Sequence, residues 1–149
     1  LYMCLDKIDD DFIFIHADTL SEITVLEQII ASKNDICLAV DFKVCGEEEM
    51  KFWIHNKKIS RITKDDIGIE SQGEFVGIAK FNQNMVEYIF EKSKEIFQTG
   101  MLNCYMEEVL DQGLIGESIV VDYFDATLYK TIEIDFMKDL ELAREMFKE

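Results

Sequence analysis

With 149 residues, 48% of them hydrophobic, the chain is long enough for one domain with a sizeable core and too short to argue for two. A formal net charge of -16 excludes a nucleic-acid backbone as partner, because counterion displacement needs a lysine and arginine surface, and it requires a metal or local lysines beside any bound phosphate. No run approaches the roughly 18 apolar residues of a membrane span, and Leu1-Tyr2-Met3-Cys4 lacks the basic region and apolar core of a signal peptide, so a cytoplasmic protein without a membrane partner is expected.

The first element is the run Phe12-Ile13-Phe14-Ile15, bounded by acids, which predicts a strand buried on both faces in the middle of a largely parallel sheet. It ends at Asp18. Thr19 and Glu22 have the spacing of a capping box, and Leu20, Ile23, Leu26, Ile29 and Ile30 then recur at helical spacing, so a helix is predicted immediately after that aspartate. Asp18 therefore falls at the carboxyl end of a strand, the rim where open α/β sheets bind ligands.

Lys33-Asn34-Asp35 closes the helix, and Ile36 to Val40 predicts a second buried strand, completing a strand-helix-strand unit. Met50–Ile54 and Ile59–Thr63 flank His55-Asn56-Lys57-Lys58, a hairpin signal that makes the sheet mixed. Gly73 to Phe81 reads as a strand in which Gly77 marks a bulge or a close approach to the backbone. Met85, Ile89, Phe90, Ile96 and Phe97 predict a helix ended near Gly100, and a shorter helix from Asn103 to about Gln112 is predicted to stop at Gly113. Ser118–Tyr123 and Tyr129–Ile134 are strand-like, and Phe136, Leu140, Ala143 and Phe147 step by 4, 3 and 4 in a terminal helix.

No repeat or linker divides the chain, so residues 1–149 are expected to form one unit. The leading Leu and the complete absence of proline point to a piece of a longer protein. Cys4, Cys37, Cys45 and Cys104 show no metal-binding spacing and are read as reduced thiols; with only His16 and His55 available, an ordinary zinc site is not expected. Alternation puts Glu133 and Asp135 on one face of a strand, although Asp135 also has the position of a helix N-cap.

Taken in order, D-D-F-I-F-I-H-A-D, G-E-F-V-G-I-A-K-F and E-I-D-F-x-x-D-L resemble the sugar nucleotidyltransferase superfamily, and within it the small bacterial cytidylyltransferases acting on phosphocholine or 2-aminoethylphosphonate. The resemblance runs from about Asp10 to the C-terminus and rests on the order and separation of short motifs. It implies a three-layer, Rossmann-like α/β fold with a mixed sheet, of which this chain would be the C-terminal part. The family's N-terminal strand and Gly-rich loop have no counterpart here, so the chain alone is expected to be inactive.

The resemblance further implies that Asp18 and Asp135 hold a catalytic Mg²⁺, with Ala17 standing where the family usually has Gly. A phosphate or phosphonate oxygen of the acceptor would attack the α-phosphorus of CTP and release pyrophosphate. Lys64 matches a phosphate-binding lysine, and Tyr105, Glu107 and Glu133 match the pocket for a cationic head group, which a ring face and carboxylates suit chemically. Trp53 can line that pocket or simply fill the hairpin's buried face, and Glu74 can point into the cleft or cap its strand. Read without the resemblance, Lys64, Tyr105 and Glu107 are equally a solvated lysine, a half-buried helix residue and part of an acidic face. The alternatives are a sugar-1-phosphate nucleotidyltransferase and a non-catalytic domain derived from the same fold.

Overall fold

The computed structural model describes residues 1–101 and 103–148. A short 3-10 turn (Tyr2–Lys7) leads into β1 (Phe12–Ile15), β2 (Thr19–Ser21), α1 (Ile23–Ala31) and β3 (Ile36–Asp41). The hairpin β4 (Lys51–His55) and β5 (Lys58–Thr63), strand β6 (Gly73–Phe81), helices α2 (Asn84–Gln98) and α3 (Met106–Ile115), strands β7 (Asp122–Asp125) and β8 (Thr131–Glu133), and α4 (Met137–Met146) follow.

The main sheet has the order β5-β4-β6-β3-β7, with β1 also paired to β6. Among the described residues only β3 and β7 run parallel; the other pairs are antiparallel, so the sheet is mixed as expected. Alternation along β3 builds three layers. Ile36, Leu38 and Val40 join Ile89 and Ile96 of α2 and Val109 and Leu110 of α3 in one core, while Cys37 and Ala39 join Val25 and Ile29 of α1 in the other. Burial on both faces explains why β3 reads as an unbroken apolar run.

The same reading fails for β1. It pairs only with β6, antiparallel, and Ile15 is 47% exposed. β1 and β3 both pair with β6 and run in the same direction without pairing to each other, so the predicted parallel neighbourhood is replaced by an intervening antiparallel strand.

The predicted capping box is also absent. The Thr19 hydroxyl donates to the Val76 carbonyl at 3.4 Å, and a Glu22 oxygen accepts from the Lys130 amide at 3.2 Å. Thr19–Ser21 instead forms β2, paired with β8 through Thr19–Glu133 and Ser21–Thr131, and Leu20 belongs to this strand rather than to the helix. The third revision concerns Gly113, which lies inside α3: a methyl group there would meet the Tyr88 hydroxyl at 2.1 Å, so packing against α2 requires a hydrogen at this position. Gly116 ends the helix.

The hairpin turn is Asn56-Lys57, both with positive φ (50° and 64°), as a two-residue turn that follows the strand twist requires. Gly77 is a bulge: Leu38 pairs with Ala79 and Val40 with Phe75, so β6 carries two extra residues there. All four cysteines are free, and of these only Cys37 is buried. No helix among the described residues is long and apolar enough to cross a membrane.

Candidate active site

Two short connections bring the predicted acids together. The chain leaves β1 at His16, whose amide donates to Gly77 O at 2.8 Å, and passes through Asp18 into β2. Because β2 pairs with β8, the Ile134 amide donates to Asp18 O at 3.0 Å, which sets the backbone of Asp18 beside the Glu133–Asp135 segment. Asp135 is not the helix cap: α4 begins after Phe136, whose amide donates to Asp139 at 2.8 Å.

A cleft of about 590 Å³ is lined by His16, Asp18, Lys64, Tyr105, Glu133 and Asp135, with Glu48 at its wall. Five of the eight residues singled out in the sequence thus converge from four separate stretches. Ligand atoms of His16, Asp18 and Glu133 lie within 4.8 Å of one another. The Lys64 ammonium stands 5.3 Å from the centre of the Tyr105 ring.

The other three predicted residues sit elsewhere. Glu107, on the first turn of α3, is 1% exposed and receives His16 Nε2 at 3.0 Å; it lines an adjoining cleft of about 540 Å³ that shares His16, Asp18 and Tyr105 with the first. Glu74 pairs with Lys43 at 2.6 Å, and burial raises its pKa against the pull of that lysine. Trp53 is buried in the hairpin and donates its indole N–H to Ile69 O at 3.0 Å.

His16 has no assigned role in the sequence reading, yet it is the hub of the site. Nδ1 lies 3.0 Å from Glu133 and Nε2 3.0 Å from Glu107. Hydrogen bonding to Glu107, then to Glu133, outweighs desolvation and raises its pKa to about 10. The ring stands edge-on to Phe14 at 5.3 Å and Phe75 at 5.6 Å and rests against Gly77.

With both nitrogens of His16 engaged by carboxylates, the oxygens that line the cleft are those of Asp18, Glu48, Glu133 and Asp135, and of these Asp18 and Glu133 belong to the 4.8 Å group around His16. An all-oxygen set of this kind fits a hard divalent ion such as Mg²⁺. An aromatic face carrying a lysine on one wall and carboxylates on the other can bind a phosphorylated molecule through a metal and a cationic side chain together.

No family model matches the sequence, and no curated protein does either. Solved structures match across nearly the whole chain. The inositol-1-phosphate CTP transferase from T. maritima superposes with a TM-score of 0.74 at 15% identity, covering 93% of this chain and 55% of that one. A protein from Bacillus anthracis assigned as a glucose-1-phosphate thymidylyltransferase gives 0.73 at 16%, covering 97% and 58%. The CTP:phosphocholine cytidylyltransferase from Streptococcus pneumoniae gives 0.69 at 14%, covering 99% and 62%. The fold is therefore that of nucleotidyltransferases, and the chain spans between 55 and 62% of the length of these three.

Proposed function

We propose that the chain is the metal-holding and acceptor-holding part of a Mg²⁺-dependent nucleotidyltransferase that moves CMP from CTP to a phosphorylated or phosphonate amine, phosphocholine being the type, with release of pyrophosphate. The observation that carries this reading is the convergence of Asp18, Lys64, Tyr105, Glu133 and Asp135 on one cleft of a sheet shared with nucleotidyltransferases.

In this reading Asp18 and Asp135, with Glu133 beside them, hold Mg²⁺, which supplies charge neutralisation on the nucleotide phosphates. Lys64 meets a phosphate oxygen. Tyr105 and Glu133 face the acceptor's ammonium group, and Glu107 stands behind them through His16. An acceptor oxygen forms a bond to the α-phosphorus as the bond to the β-phosphate oxygen breaks, and pyrophosphate carries away that electron pair.

Calorimetric titration with Mg²⁺ tests the reading. Asp18→Asn and Asp135→Asn are each expected to weaken binding at least about tenfold, with unfolding midpoints close to wild type because neither residue caps a helix. Unchanged affinity in both variants would overturn it. Pyrophosphate release from CTP and phosphocholine reads the activity itself, and none is expected from this chain alone.

A sugar-1-phosphate acceptor is the second reading. It is favoured by the fact that the groups suited to an ammonium already hold the chain's own cations, Lys64 over Tyr105 and His16 between Glu107 and Glu133.

A further inference from the structure

Resting on the reading of Lys64 as the cation that meets a phosphate oxygen, we infer that Lys51 is a positioning residue of the cleft: its ammonium group ties together the two irregular segments that carry Glu48 and Lys64 to the cleft wall, and so holds Lys64 in place over Tyr105.

The donors decide the role. Lys51 opens β4, across from Thr63 at the end of β5 and Glu74 in β6, and its side chain is half-buried. Its ammonium donates to Lys64 O at 2.7 Å, to Glu47 O at 3.3 Å and, in a longer contact, to Glu49 O at 3.5 Å. A lysine has three protons to give and no acceptor, so three carbonyls use its whole capacity. A ligand therefore meets no spare donor on Lys51, although Lys51 and Lys64 both line a neighbouring cavity of about 550 Å³.

The three carbonyls need such a partner. Residues 42–50 and 64–72 belong to no helix or strand, so Glu47, Glu49 and Lys64 have no ladder to satisfy them. Glu47 and Glu49 flank Glu48, which with Lys64 lines the 590 Å³ cleft. One ammonium group thus fixes two residues of that wall at once.

Two further features call for the tie. The start of the first segment is fastened separately, by Lys43 to Glu74 at 2.6 Å, which leaves its Glu48 end to Lys51. Asp18, Glu133 and Asp135 line the same cleft, so their charge repels Glu48 and drives that wall outward; Lys51 places a cation behind it. A displacement of about 1 Å at Lys64 is enough to weaken its hold on a phosphate oxygen.

The experiment follows the Lys64 side chain by NMR in the ligand-free chain, where the Tyr105 ring shifts the Lys64 signals upfield and Tyr105→Leu defines the size of that shift. Lys51→Met, which keeps the stem and removes the three donors, is expected to lose most of the shift while β3 and β6 keep their amide signals, and Lys51→Arg is expected to restore most of it. Should Lys51→Met fail to fold, Lys51→Gln, with fewer donors on a shorter stem, is read in its place with the same expectation. An unchanged shift in the folded variant, its absence from wild type, or amide changes spread evenly through β3 and β6 would overturn the inference. Calorimetric titration with phosphocholine in the presence of Mg²⁺ connects the tie to the acceptor, and Lys64→Met and Lys51→Met are each expected to weaken binding at least about fivefold. Phosphocholine binding that ignores Lys64→Met would sink the acceptor reading alone, since the NMR signature needs no ligand. A loss in Lys64→Met that Lys51→Met does not share would sink this inference alone.

Discussion

A β-carbon on Gly77 would lie 2.9 Å from the ring of His16. It would also lie 2.5 Å from the Thr19 hydroxyl, and the residue has φ of 76°, so Gly77 is constrained both by its backbone and by what rests on it.

Gly77→Ala is accordingly expected to destabilise the fold by about 2 to 5 kcal/mol, combining a left-handed backbone cost of about 1 to 2 with an overpacking cost of about 1 to 3. Gly68 is the internal control. It has the same φ of 76° and open space where a β-carbon would go, so Gly68→Ala should show the backbone cost alone. Urea unfolding of the two variants separates the contributions, and equal losses would show that contact with His16 and Thr19 adds nothing.

His16 gives a pH dependence with a definite sign. Its folded pKa of about 10 lies above the ordinary value of 6.5, because Glu107 and then Glu133 hold the charged form. The stability it contributes is therefore fully present below pH 6.5, declines as pH rises, and is gone above about 10. In metal-free buffer the unfolding midpoint of wild type should fall between those limits by more than that of His16→Gln, whose side chain does not titrate. Parallel curves would mean that the imidazole releases its proton near its ordinary value.

Asp111 ties α3 to the hairpin. Its two oxygens accept from Arg61 Nε at 2.8 Å and a terminal Arg61 nitrogen at 2.9 Å, and one of them also accepts the Ile62 amide at 2.9 Å. Asp111→Ala removes all three bonds and leaves a buried amide without a partner, for an expected loss of about 3 kcal/mol. Asp111→Asn keeps the acceptor for the Ile62 amide and should recover part of that loss in the same unfolding assay.

Strands and helices that bury a full face were legible in the sequence. β3 and β6 are dense apolar runs, the hairpin declares itself by its polar loop, and α2 by its apolar stripe. The junction after β1 was misread because Thr19-x-x-Glu22 fits a local cap as well as it fits two residues that bond to distant carbonyl and amide groups. Gly113 was misread because a glycine kept for packing looks the same as one kept for a turn.

At the site, the acids were legible because each sits at an element end with a recognisable motif. His16 was not, because its two partners are 91 and 117 residues away and no local spacing links them. The available signal was slight: one of only two histidines, placed two residues before the candidate aspartate, with a glycine in the strand across from it.

Glu107 and Asp111 are four residues apart on α3, hence on one face and about 6 Å apart along the axis. The first is gripped by His16 from the end of β1, the second by Arg61 from the hairpin. The helix thus works as a two-point clasp between an outer strand pair and the cleft. A substitution at Arg61, which lines neither cleft, would be felt one helical turn away at the carboxylate that holds His16.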